Sequence, residues 1–220
     1  MNKELVVDTF PKSIISEAIR MIRTNIQFKS NKLEATTIYI TSSVPGEGKS
    51  FISSNLAIAF AQLGKKTLLI DCDLRRGRIH KLFNISNNFG LSSVLDSDLI
   101  FCRDDYVIKS KIANLDVIVR GAVPGNPSEL LNHNGITVLI DELKKKYDYI
   151  IFDGVPVVGL ADSLIMAKKT EMVLLVSACK VCTRDLLKNA VKSLQGVDAN
   201  IVGIVANKIE NTSSKYYKYD

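Results

Sequence analysis

Apolar residues along the chain fall into short runs separated by segments of helical spacing. Thr36-Thr37-Ile38-Tyr39-Ile40-Thr41 reads as a strand, and Thr67-Leu68-Leu69-Ile70 is the kind of continuous apolar run expected of a strand buried on both faces. Leu115–Val119, Tyr149–Phe152, Met172–Val176 and Ile201–Val205 repeat that pattern. Helical spacing fills Lys49–Leu63, Val138–Lys145, Leu160–Lys168 and Arg184–Leu194, and Gly64 is placed to stop the first of these. Ahead of them, Ser13 or Ser16 can cap a lead-in helix within about 13–30 that runs through Glu17-Ala18-Ile19-Arg20-Met21-Ile22-Arg23. Such alternation predicts an α/β fold: a mostly parallel central sheet with helices on both faces, and ligands bound beyond the carboxyl ends of the strands. Residues 1–210 are expected to form one domain, and residues 211–220, polar and without a core pattern, a flexible tail.

Composition narrows this picture only a little. With 220 residues, 46% of them hydrophobic, the chain can build one sizeable core but not two comfortable ones. No apolar run approaches a membrane span and the N-terminus lacks a secretory pattern, so a cytoplasmic location is expected. The net charge of +6 suits nucleic acid, an anionic membrane surface or an acidic partner without choosing among them. Cys72, Cys102, Cys179 and Cys182 are expected as reduced thiols; the last two have redox-motif spacing, but no second Cys/His pair completes a zinc site.

The chemistry sits in three places. Ser43-Val44-Pro45-Gly46-Glu47-Gly48-Lys49-Ser50 follows a predicted strand and opens a predicted helix, the context of a phosphate-binding P-loop. Its glycines let backbone N–H groups turn toward phosphate oxygens, and the helix N-terminus adds its positive dipole end. Pro45, Gly46, Glu47, Gly48, Lys49, Ser50 and Phe51 are the expected nucleotide contacts: Lys49 reaches the β- and γ-phosphates and the Ser50 hydroxyl reaches Mg²⁺. Ser43 stands where the pattern usually has its first glycine. The next strand ends in Asp71-Cys72-Asp73, whose alternation puts both carboxylates on one side if the strand continues that far. Carboxylates there can hold Mg²⁺, orient a nucleophile or accept its proton. A third strand ends in Asp153, suited to hold Mg²⁺ directly or through water, and Asn207-Lys208 after the last strand is placed to contact the adenine or to form a surface turn.

These motifs, in this order, make the chain resemble the bacterial tyrosine kinases of capsule and exopolysaccharide synthesis, within the P-loop class that also holds the partition and cell-division-site ATPases. Val44 occupies the place of the partition ATPases' signature lysine, and the segment Gly121-Ala122-Val123-Pro124-Gly125-Asn126-Pro127-Ser128-Glu129-Leu130-Leu131 looks like the Pro-Asn-Pro-Ser-Glu-Leu stretch of the kinases. Glu17-x-x-Arg20-x-x-Arg23 matches their oligomerisation motif, and Tyr216, Tyr217 and Tyr219 match their C-terminal tyrosine cluster. The resemblance implies ATP and Mg²⁺ as cofactors and phosphoryl transfer to the tail tyrosines. Asp71 would orient and deprotonate the acceptor, Ser50, Asp73 and Asp153 would hold the metal, and Lys49 would stabilise the transferred charge. It further implies a ring-like homo-oligomer closed through Glu17, Arg20 and Arg23, a membrane adaptor whose cytoplasmic tail activates the kinase, protein tyrosine substrates and a cognate phosphatase. No nucleic-acid partner is expected, and the protein would act at the inner face of the membrane, regulating polysaccharide synthesis and export.

One departure stands out. Relatives usually have Asp-Thr-Pro-Pro or Asp-Ser-Pro-Pro where this chain has Asp153-Gly154-Val155-Pro156. The lost hydroxyl removes a polar contact near Mg²⁺, and Gly154 is expected to loosen the turn. That keeps a second reading open, a nucleotide-controlled scaffold with weak kinase activity. The third is a partition- or positioning-type ATPase.

Overall fold

The structure, a computed structural model, describes residues 2–30, 35–96 and 106–209. Cys102 and the expected acceptors Tyr216, Tyr217 and Tyr219 lie outside the described residues. The chain enters through α1 (Val6–Thr9) and α2 (Ile14–Lys29), then β1 (Thr36–Ser42), α3 (Lys49–Ala61) and β2 (Thr67–Asp71). Next come α4 (Ile79–Phe83), α5 (Leu91–Asp96), β3 (Ile108–Lys109), β4 (Leu115–Ile118), α6 (Pro127–Asn132) and α7 (Asn134–Lys144). β5 (Tyr149–Pro156), α8 (Ala161–Lys169), β6 (Met172–Ala178), α9 (Arg184–Gln195) and β7 (Ile201–Asn207) follow.

Among the described residues the strands form one sheet in the order β3-β4-β2-β5-β1-β6-β7. Every pairing is parallel except that of β3 with β4. Alternate side chains feed two cores. Ile38, Ile40, Leu69 and Ile151 pack against Ile19 of α2 and Leu56 and Phe60 of α3. Tyr39, Ile70 and Phe152 pack on the other face with Leu139 of α7, Met166 of α8 and Leu194 of α9. The expected mostly parallel sheet with helices on both faces is therefore what forms, and β1, β2 and β5 bring their carboxyl ends together at its centre.

α3 is apolar nearly all round because α1 and α2 cover its outer side. Asn55 holds α1 there: Val7 N–H donates to its Oδ1 at 2.9 Å, and its Nδ2 donates to the Glu4 carbonyl at 2.8 Å. The two candidate caps divide the work. Ser13 Oγ accepts from Ser16 N–H and caps α2, while Ser16 Oγ donates to the Phe10 carbonyl at 2.7 Å and anchors the turn before it.

Most differences from the sequence reading are at boundaries. α3 stops at Ala61 and the chain turns through Gly64 at φ +76°. The largest lies in β5, which does not end at Asp153 but runs on through Gly154 to Pro156. The expectation of a loosened turn at Gly154 is thus corrected: the residue is buried inside a strand. No helix among the described residues is long and apolar enough to cross a membrane.

Candidate active site

The P-loop joins β1 to α3. Gly46 (φ +81°) and Gly48 (φ +96°) both lie in the left-handed region, where a side chain would strain the backbone, and this turns the loop amides inward ahead of the helix N-terminus. Pro45 and Gly46 are exposed, Ser50 and Phe51 half-buried, and Lys49 largely buried. Glu47 is fully buried and braces the loop from behind. Its carboxylate accepts from Val44 N–H at 2.8 Å across the loop and from Ala178 N–H at 2.9 Å at the end of β6. Asn207 Nδ2 donates to the Glu47 carbonyl at 2.8 Å, and Lys208 Nζ donates to the Gly46 carbonyl at 2.7 Å. Asn207, expected beside the adenine, therefore also ties the end of β7 to the loop.

Asp71 and Asp153 are register partners across the β2–β5 pairing, and both are fully buried. Asp71 accepts from Ile79 N–H at 3.0 Å and from Asp73 N–H at 3.3 Å. Gly77 folds over it so closely that a Cβ there would fall 2.3 Å from Asp71 Oδ1. Because β2 ends at Asp71, Asp73 does not continue the alternation. It is half-buried and its Oδ1 accepts from Arg76 N–H at 2.8 Å. Asp153 accepts from Ser53 Oγ at 2.9 Å on Oδ1, and its buried Oδ2 has no partner.

The electrostatics follow from this crowding. Burial pushes the Asp153 carboxyl up to about 6, against the pull of the Lys49 charge and of hydrogen bonds from Ser50 and Ser53, with the Asp73 charge adding to the rise. Burial and then the Asp153 charge hold Asp71 well above the usual carboxylate range, with the N–H groups of Ile79 and Asp73 opposing them. Two buried carboxylates with one lysine are short of positive charge. Among the described residues no three His, Cys, Asp or Glu side chains form a metal cage by themselves. A Mg²⁺ that arrives with a nucleotide does not need one, since one or two carboxylates plus phosphate oxygens and water suffice. The orphaned Asp153 Oδ2, buried on a carboxylate whose other oxygen is already taken by Ser53, fits such an ion.

Distance along the chain hid several other contacts. Arg75 Nε donates to Asp162 Oδ2 at 3.0 Å, and Ser128 Oγ bonds the other oxygen of that carboxylate. This clamp joins the segment after β2 to α6 and α8 beside the site. Arg120 reaches the Arg75 carbonyl at 3.2 Å. In the Glu17/Arg20/Arg23 row, Glu17 pairs with Arg20, whose Nη2 also donates to the Pro11 carbonyl at 2.6 Å, whereas Arg23 Nη1 turns inward to the Ala59 carbonyl at 3.0 Å. Cys179 and Cys182 are free thiols in the turn after β6.

The AAA domain family matches residues 35–202. Over 219 residues the chain is 36% identical to the tyrosine-protein kinase YwqD of Bacillus subtilis (strain 168), covering 100% of this chain and 92% of that protein. The chain belongs to the bacterial tyrosine-protein kinases. The kinase domain of the Escherichia coli tyrosine kinase ETK matches 99% of this kinase with 84% of its own chain covered, at 34% identity and TM-score 0.88. The chimeric protein CapA2B2 matches 95% with 91% of its own chain covered, at 38% identity and the same TM-score. The partition-ATPase reading gives way to this membership. The P-loop and the paired carboxylates Asp71 and Asp153 are thus set in a fold shared with a tyrosine-kinase domain along nearly the whole of this chain.

Proposed function

We propose that this kinase binds Mg-ATP at Ser43–Ser50 and passes the γ-phosphoryl group to its own tail tyrosines, Tyr216, Tyr217 and Tyr219, in a neighbouring subunit. The observation that carries the reading is the meeting of the P-loop with Asp71 and Asp153, register partners on adjacent strands, the second with an unpaired buried oxygen. Lys49 and the N–H groups of Gly46 to Phe51 would grip the phosphates. Ser50, Asp73 and Asp153 would hold Mg²⁺, which when bound neutralises charge on the β- and γ-phosphate oxygens. Asp71 would take the phenol proton as the new O–P bond forms and ADP leaves. Its raised proton affinity, from burial and from Asp153, suits a proton acceptor. Because Gly77 covers Asp71, the segment 73–78 must shift to admit the phenol.

Glu17, Arg20 and Arg23 would meet the neighbouring subunit and close a ring. Phosphates collecting on packed tails would repel and open it. A membrane adaptor would recruit the kinase to the inner face of the membrane and supply an activating tail. A phosphatase would reset it, and the cycle would govern capsular or exopolysaccharide export. These last expectations rest on the resemblance in sequence. The test is incubation of the purified kinase with Mg-ATP, with and without an adaptor-tail peptide, for the wild type, Lys49→Met and a variant with the three tail tyrosines changed to Phe. Phosphotyrosine in the wild type alone, raised by the peptide, is the expected result. Equal incorporation in the wild type and the tail variant would remove the tail as acceptor.

A further inference from the structure

β1 and β5 do not pair evenly. Ile40 lies opposite Asp153 but Ser42 lies opposite Pro156, so β5 carries one extra residue where Gly154 and Val155 face Thr41. Such a bulge leaves peptide groups without ladder partners. Here hydroxyls take them. Val155 N–H donates to Tyr39 Oη at 3.3 Å, and Tyr39 Oη donates to Ser163 Oγ at 3.3 Å. Ser163 Oγ and Thr41 Oγ1 are 2.9 Å apart, and Thr41 Oγ1 donates to the Val155 carbonyl at 2.7 Å. An N–H can only donate and a carbonyl can only accept, so the direction is set around the whole circuit. Each of the three hydroxyls accepts once and donates once, and the circuit begins and ends on Val155. Bonds aligned in this way reinforce one another, and the site is dry: Tyr39, Thr41, Val155 and Ser163 are all buried.

Gly154 is what lets Tyr39 reach this place. A Cβ at Gly154 would fall 2.3 Å from the Cε2, Cζ and Oη atoms of Tyr39. Tyr39 therefore fills the volume that a side chain at 154 would occupy, and brings a hydroxyl with it. We infer that Tyr39 is a positioning residue: through the Val155 peptide it fixes the bulge that follows Asp153 in β5, and it forms a matched pair with Gly154, whose bare Cα leaves the volume that the tyrosine ring fills. The inference rests on the reading of Asp153 as a metal-holding carboxylate, so its test carries readouts independent of phosphoryl transfer.

Five proteins are compared: the wild type, Tyr39→Phe, Tyr39→Ala, Gly154→Thr and the double Tyr39→Ala/Gly154→Thr. Measured for each are the Tm, the Mg²⁺ concentration that half-saturates binding of a fluorescent ADP analogue, and kcat and KM for phosphotyrosine formation. Tyr39→Phe keeps the ring and removes the hydroxyl. It should raise the Mg²⁺ requirement and lower kcat, each by roughly three- to tenfold, with less than about a twofold change in KM for ATP. Gly154→Thr should be damaging in the presence of Tyr39 and restorative in the Tyr39→Ala background, a reversal of sign that only a shared volume produces. A Tyr39→Phe protein with altered Tm but unchanged Mg²⁺ requirement and kcat would reduce Tyr39 to packing and overturn the inference, as would additive effects at 39 and 154. Failure of the wild type to form phosphotyrosine would count against the kinase reading instead, leaving the Tm and Mg²⁺ readouts to judge Tyr39.

Discussion

At the scale of single residues, burial works against the charge of Asp153. Its carboxyl is pushed from 3.8 to about 6 in the folded, nucleotide-free protein. Between those values the folded state holds a proton that the unfolded chain has released, so this group makes stability fall as pH rises through that window. Asp71, raised for the same reason, acts in the same direction, whereas the lowered His80 works the other way below its ordinary value of 6.5. The Asp153→Asn variant isolates the effect. Without ligand at pH 7.5 it should be more stable than the wild type, by on the order of 2 kcal/mol. Its Mg²⁺-dependent nucleotide affinity should fall at least about tenfold, for loss of a charged metal ligand. Thermal melts with and without Mg-ADP check both. Removing Glu47 has the opposite effect: Glu47→Ala strands the buried Ala178 N–H and the part-buried Val44 N–H, and should cost about 1–3 kcal/mol in urea denaturation while loosening the P-loop and weakening nucleotide binding.

At the scale of elements, the Arg75–Asp162–Ser128 clamp joins three segments around the site. Burial alone would raise the Asp162 carboxyl, but hydrogen bonds from Arg75 and Ser128 and the Arg75 charge bring it below its ordinary value. Arg75→Ala leaves that carboxylate, 1% exposed, without its cation. Because Arg75 is itself well exposed, solvent screens the pair, and a loss of about 1–2 kcal/mol is expected in chemical denaturation at neutral pH. This clamp spans 87 positions along the chain, which is why its pairing could not be read from spacing. What could be read were elements whose signal is local: Thr67–Ile70 and Met172–Val176 are buried on both faces and so continuous in apolar residues. The glycine pattern of the P-loop and the carboxylates Asp71 and Asp153 that follow apolar runs were legible for the same reason. β5 was cut short because Gly154 and Pro156 look like terminators, when a tyrosine 115 positions earlier fills the space above the glycine. α1, four residues long, has no period to detect, and it is held by Asn55, a side chain on a distant helix.

At the scale of the whole molecule, the proposed reaction joins a donor site to an acceptor tail through a neighbouring subunit. Glu17 is well exposed and its partner Arg20 partly so, while Arg23 is turned to the Ala59 carbonyl of its own chain. Glu17→Ala with Arg20→Ala should therefore lower the mass seen by light scattering and slow tail phosphorylation. The Tm should barely change, because an exposed ion pair contributes about 0–1 kcal/mol. The measurement that bears most directly on the central claim is mass-spectrometric mapping of phosphate after the purified kinase meets Mg-ATP. Phosphate is expected on Tyr216, Tyr217 and Tyr219, absent in Lys49→Met and strongly reduced in Asp71→Asn. A kinase that binds Mg-nucleotide normally yet places no phosphate on tyrosine, or does so equally well after Lys49→Met, would contradict it.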